Sequence, residues 1–144
     1  MSNESIGAQL DMIGIVVSDM ARSLAFYRMV GLEIPDSADS EVHVEVALRG
    51  GLRLGFDTDA LVAGFHPDRI PPASGDGRVG LAFLLPDADA VDAAYARITG
   101  AGHTGVLEPF DAPWGQRYAT VADPDGSSLD LFAWMEQSPP SGSA

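Results

Sequence analysis

Cysteine and lysine are both absent from the 144 residues. Without cysteine there is no disulfide, no thiolate metal site and no cysteine nucleophile. Without lysine, arginine carries all of the basic side-chain charge apart from three histidines. Long apolar runs are missing too. None approaches the ~18 residues of a membrane span, and the opening MSNESIGAQL lacks the basic region and apolar stretch of a signal peptide. Neither a span nor a secretory leader is expected, which points to a cytoplasmic protein. Positive charge is scarce: 8 basic side chains stand against 21 acidic ones, a formal net charge of -13. Such a surface repels nucleic acid and anionic membranes. It suits a soluble protein and is compatible with a cationic ligand.

What is present is enough to build a core. The apolar fraction is 46%, and the length allows one domain or two small, tightly joined halves. Residues 1–9 read as a loose arm. From Leu10 to Val17 the chain alternates, with Ile13, Ile15 and Val17 on one face and Met12, Gly14 and Val16 on the other, which predicts a strand. Asp19 reads as an N-cap for a helix over Met20–Val30, stopped by Gly31. Leu32 to Pro35 is expected to start a short strand. Val42, Val44, Val46 and Leu48 are expected to face a core, leaving His43, Glu45 and Ala47 opposite. After the Arg49-Gly50-Gly51 turn, Leu52, Leu54 and Phe56 form a further core face opposite Arg53, Gly55 and Asp57.

Residues 58–77 break the pattern with glycine and proline. They read as a linker or lid, with one helical turn around Leu61 to Phe65. The order then repeats over residues 78–135: a strand over Val79–Leu85, the cap Asp87, a helix over Ala88–Ala101, and strands over Thr104–Phe110, Gln116–Ala122 and Ser127–Trp134. DPDG between the last two is a hairpin signal. Phe56, Phe83, Tyr27 and Tyr95 are assigned to the core. Arg117 has Asp123 or Asp125 as candidate partners that would fix the hairpin. SPPSGSA, within a tail over 136–144, is disordered by composition.

The two halves match. Val17-Ser18-Asp19 corresponds to Leu85-Pro86-Asp87 and Tyr27 to Tyr95 at the same offset, while Gly51–Phe56 corresponds to Gly126–Leu131. The predicted architecture is therefore α+β, a twofold repeat of βαβββ over residues 10–57 and 78–135. One copy cannot bury both faces of its sheet, so the second face is expected to meet a partner copy across a cleft.

Three segments carry a resemblance: IVVSDMARSLAFYRMVGLE, FLLPDADAVDAAYARITGAG and WGQRYATVADPDGSSLDLF. Together they resemble the vicinal oxygen chelate superfamily, which includes glyoxalase I, extradiol dioxygenases, fosfomycin-resistance enzymes and bleomycin-resistance proteins. The resemblance implies two βαβββ modules forming paired curved mixed sheets around a cleft. In metal-dependent members, a histidine or glutamine on the first strand of a module and a glutamate on its last supply metal ligands. The matching positions here are Met12, Gly55, Gly80 and Asp130. A thioether suits hard or borderline divalent ions poorly, and a single carboxylate cannot hold a catalytic metal. No metal and no cofactor are therefore expected. A relocated site built from His43, Glu45 and Asp130 is the alternative.

The resemblance is closest in character to the bleomycin-resistance-like drug-binding members. It implies non-catalytic sequestration of an aromatic antibiotic or related natural product by a homodimer. Met12, His43, Glu45, Arg53, Phe65, Phe110, Trp114, Asp130 and Phe132 are the candidate ligand contacts, with aromatic and methionine walls around a few polar anchors. The alternative is a lyase, isomerase or dioxygenase on the same fold. A third reading is a scaffold that only dimerises.

Overall fold

A computed structural model describes residues 5–70 and 79–135. The chain forms two compact units, residues 1–28 with 32–71 and residues 29–31 with 72–144. The expected tail and the Pro/Gly-rich end of the linker lie outside the described residues. Both units are mixed α+β.

In the first unit, β1 (Met12–Val17) leads into α1 (Met20–Val30), followed by β2 (His43–Ala47), β3 (Arg53–Thr58) and α2 (Asp59–Phe65). The strands are ordered β1-β3-β2. β3 runs parallel to β1 and antiparallel to β2. The β1 apolar alternation sends Ile13, Ile15 and Val17 to one face, level with Leu54 and Phe56 of β3 and Val44 and Val46 of β2. α1 covers this face. Its Leu24 and Tyr27 are buried, and the Tyr27 ring lies 5.1 Å from that of Phe56.

The helix starts where Asp19 predicts: the Arg22 backbone N–H donates to Asp19 Oδ1 at 3.0 Å. α2 extends the single turn expected around Leu61 and is capped by Thr58, whose side chain accepts from the Leu61 N–H at 3.1 Å.

The first sheet departs from the repeat. Leu32–Pro35 is not a strand, and Asp36–Ser40 forms a 3-10 helix instead. Arg28 explains why. Its side chain donates to the carbonyls of Ile34 and Pro35 at 2.8 and 2.7 Å and pairs with Asp39 at 2.8 Å, so these acceptors serve α1 rather than a neighbouring strand. Val42 precedes β2 and is 52% exposed, so the core face expected to begin there begins at Val44.

The second unit contains β4 (Leu81–Leu84), α3 (Ala88–Gly100), β5 (Gly105–Ala112), β6 (Gln116–Ala122) and β7 (Ser128–Trp134), in the sheet order β4-β7-β6-β5. β4 pairs parallel to β7, and β5, β6 and β7 pair antiparallel. Asp87 repeats the device of Asp19, accepting from the Ala90 N–H at 2.8 Å. Val91 and Ile98 of α3 are buried with Ala119, Val121, Leu129, Leu131 and Ala133. Phe83 and Tyr95, assigned to the core, are only partly buried. The Tyr95 hydroxyl lies 2.1 Å from where a Gly105 Cβ would stand, so the ring end occupies space that a larger residue at the start of β5 would need.

The DPDG turn closes through Asp123, which is 4% exposed. Its Oδ1 accepts the Asp125 and Ser127 N–H groups, each at 2.9 Å, while its own N–H donates to the Ser127 carbonyl at 2.8 Å. Gly126 takes φ 89°, which a side chain would strain. Arg117 does not fix this turn, as the residue pattern had suggested. It lies on the α3 side of β6, where its guanidinium pairs with Asp92 at 2.8 Å and Asp111 at 2.9 Å. Strand alternation places Arg117 on the opposite side from Asp130, and the helix supplies the nearer acid.

Candidate functional site

The face of the first sheet turned away from α1 carries a polar array. Register places Met12 beside Arg53 and Ala47, Gly14 beside Gly55 and Glu45, and Val16 beside Asp57 and His43. His43 is held from both sides. Its Nδ1 pairs with Asp57 Oδ1, and its Nε2 with Glu45 Oε2 at 2.7 Å. Arg53 bridges Glu45 and Asp11. His43, Glu45 and Arg53 thus stand together, joined by Asp11 and Asp57.

Hydrogen bonding to Asp57 first, and to Glu45 second, raises the His43 pKa above its ordinary 6.5. The Glu45 carboxyl is lowered, by His43 first and Arg53 second. The folded state binds the proton more tightly, so the pairing contributes stability fully below pH 6.5 and loses it as pH rises through the folded pKa. Because the array is exposed, the energy is strongly screened. An NMR titration of the His43 ring should give a midpoint above 6.5, and Asp57→Asn should lower it. An unchanged midpoint in the variant would remove Asp57 as the main cause.

Phe65, at the end of α2, is exposed and packs edge-on to His66, with ring centroids 4.8 Å apart.

The second sheet is chemically different. On the face away from α3, register aligns Leu84, Phe132, Tyr118 and Phe110 across β4, β7, β6 and β5. Trp114, in the β5–β6 turn, stands edge-on to Tyr118 at 5.4 Å and to Phe110 at 6.2 Å. Phe110 and Tyr118 lie 6.1 Å apart, and Phe132 contacts Trp134 at the same distance. Trp114 is 54% exposed and Trp134 62%. The Trp114 indole N–H donates to Gln116 Oε1 at 2.8 Å, which fixes the ring.

The neighbouring row holds Ala82, Asp130 and Thr120. The Thr120 hydroxyl donates to Asp130 Oδ1 at 2.9 Å. Burial first, then a hydrogen bond to the Asp130 carboxylate, pushes the Tyr118 phenol up to about 12. Of the expected contacts, Phe110 and Trp114 come together directly, and Phe132 and Asp130 share their sheet face. Tyr118 and Trp134, which are not among the expected contacts, complete the wall. Period-two counting finds both: Trp134 lies two residues beyond Phe132, and Tyr118 lies two before Thr120.

A groove of about 570 Å³ near Trp134 is lined also by Pro86, Asp87, Ala88, Asp89, Asp111 and Met135. Two of its acids are already engaged, Asp87 in capping α3 and Asp111 with Arg117.

The donor set does not fit the metal that the resemblance implies. Met12 Sδ lies 2.9 Å from where a Gly55 Cβ would stand, so the thioether occupies the space over that family position. Gly80 offers no ligating side chain. Asp130 is the one carboxylate among these positions, and it accepts from Thr120. Among the described residues, no group of three or more His, Cys, Asp or Glu could hold a metal ion. His43, Glu45 and Asp57 are no exception, since the two acids grip opposite nitrogens of one ring.

The comparisons with other proteins agree on the architecture. The family model described as Glyoxalase/Bleomycin resistance protein/Dioxygenase superfamily matches residues 9–131. Among solved structures, a glyoxalase/bleomycin resistance protein/dioxygenase family enzyme from Burkholderia phytofirmans PsJN superposes with a TM-score of 0.73 at 22% identity, covering 88% of this chain and 99% of that one. A glyoxalase/bleomycin resistance protein/dioxygenase from Nocardioides gives 0.69 at 21%, covering 96% and 91%. A member of the same superfamily from Sphaerobacter thermophilus gives 0.60 at 27%, covering 88% and 97%. At these identities the structural likeness concerns fold. No curated protein matches the sequence. Among the described residues, no helix is long and apolar enough to cross a membrane.

Proposed function

The chain belongs to the Glyoxalase/Bleomycin resistance protein/Dioxygenase superfamily, and from that premise we propose that it binds and sequesters a planar aromatic natural product without transforming it. The observation that carries this reading is the aromatic face of the second unit. Phe110, Trp114 and Tyr118 stand edge-to-face on one another, and more than half of the Trp114 surface remains uncovered at 54% exposure. Three rings fixed by mutual contact present flat apolar surface with little rotamer entropy left to lose on binding. Sequestration needs affinity alone, so glycine and methionine at family ligand positions are compatible with it. In this reading the protein acts as a homodimer.

The test is a calorimetric and fluorescence titration with polycyclic aromatic antibiotics, followed by mass analysis of the recovered ligand. Saturable, stoichiometric binding with the ligand recovered unchanged is expected. Chemical conversion of the ligand would replace sequestration with catalysis. The pairing of His43 with Asp57 favours that second reading, an enzyme of the same fold, because a carboxylate that orients one imidazole nitrogen is the arrangement of a general base. Glu45 opposes it by engaging the other nitrogen.

A further inference from the structure

We propose that the aromatic face of the second unit selects planar aromatic cations, with Asp130 as the residue that reads the positive charge. The inference rests on the binding reading above and narrows its ligand class. Asp130 sits on β7 between Ala82 of β4 and Thr120 of β6, one row from the Leu84–Phe132–Tyr118–Phe110 line. Facing residues on neighbouring strands stand about 5 Å apart and diagonal ones about 7–8 Å. A fused ring system lying on this wall therefore reaches the carboxylate with a substituent or ring nitrogen.

Thr120 is 7% exposed and holds Asp130 Oδ1 through its hydroxyl at 2.9 Å, so the acceptor is oriented before a ligand arrives. The Tyr118 phenol interacts with the same carboxylate, and a carboxylate accepts more hydrogen bonds than these two. The small side chain of Ala82 leaves the approach along β4 uncrowded.

The charge balance of the face decides the ligand class. Arg117, the cation of the same hairpin, points to the α3 side and is committed to Asp92 and Asp111. The ring faces of Phe110, Trp114, Tyr118 and Phe132 carry negative quadrupole density, which attracts a cation and adds to the carboxylate. A neutral ligand covering this face strips water from Asp130 and returns nothing, whereas a cationic one supplies a charge-assisted partner. The formal net charge of -13 steers the cation inward and keeps anionic aromatics away.

Three planar probes of nearly one shape test this at pH 8: N-methylacridinium, which is a fixed cation, acridine as the neutral form, and acridine-9-carboxylate. Calorimetric titration of the wild-type chain should give the cation about tenfold tighter than acridine, with the carboxylate weakest. The preference should shrink as salt is raised. Asp130→Asn, checked for folding by thermal unfolding, should erase the difference in affinity between the cation and acridine. Equal binding of cation and neutral probe by the wild type overturns the inference whether or not the variant folds, and leaves aromatic binding standing. A cation preference that survives in Asp130→Asn also overturns it. Binding of none of the probes overturns both this inference and the proposed function.

Discussion

Phe56→Ala is expected to destabilise the protein by about 3–5 kcal/mol, the usual cost of truncating a fully buried phenylalanine. Phe56 is the middle of the first unit in every direction. It lies on β3, the central strand, level with Ile15 of β1 and Val44 of β2. Its exposure is 0%, and its ring meets that of Tyr27 from α1 at 5.1 Å with the planes tilted by 57°. Truncation removes apolar area from all three strands and the helix, and a β-strand backbone pinned on both sides cannot collapse into the space. Since native domains have only about 5–15 kcal/mol in reserve, the loss takes a large share of the total. Urea unfolding monitored by circular dichroism measures it, and a change below about 1 kcal/mol would contradict the packing described.

Trp114→Ala should have the opposite profile, with a large effect on binding and little on stability. The indole is 54% exposed in a turn, so its loss, with the edge-on contacts to Phe110 and Tyr118, should change stability by about 1 kcal/mol, well below Phe56→Ala. Its binding role is expected to be large because it presents a broad flat surface held in one orientation by Gln116, Tyr118 and Phe110. Central aromatic anchors typically cost about 2 kcal/mol or more on truncation, roughly thirtyfold in affinity. Calorimetry with a polycyclic aromatic probe reads this directly, since the remaining Trp134 complicates fluorescence. An affinity within twofold of wild type would move the ligand away from the β5–β6 turn. A fall in stability comparable to that of Phe56→Ala would make Trp114 a packing residue instead.

Much of the fold was legible because the signals were redundant. Asp19 and Asp87 each precede an amphipathic run, and each accepts the backbone N–H three residues on. The β6–β7 hairpin announced itself through alternation on both sides of DPDG, and its register followed from the turn. Leu32–Pro35 failed for a reason no local pattern contains. Arg28, at the end of the preceding helix, claims two of its carbonyls, and the segment's own residues do not show this. Val42 failed because alternation has no sense of where a strand begins.

The site was legible in kind but not in membership. His43, Glu45 and Arg53 were visible as residues of one face, while Asp11 joined them only through a bond spanning the chain from Arg53. Phe110, Trp114 and Phe132 stood out as aromatics near turns and strand ends. Tyr118 was masked by its setting between Arg117 and Ala119 in a strand read chiefly for its apolar residues. Arg117 shows the same limit: Asp123 and Asp125 were in view, but the partners came from α3 and β5.

The shortened first sheet has one more consequence. With Leu32–Pro35 outside the ladder, β2 is the terminal strand of the β1-β3-β2 sheet, and among the described residues no strand pairs with its outer side. Such an edge is a template for pairing with another chain, the starting event of aggregation. β2 is five residues long, and every second residue on its exposed face is His43, Glu45 or the small Ala47. A short strand carrying charge on alternate positions resists stacking against its own kind. The ion-paired array that organises the first unit therefore also guards the edge left open by Arg28 against uncontrolled strand pairing.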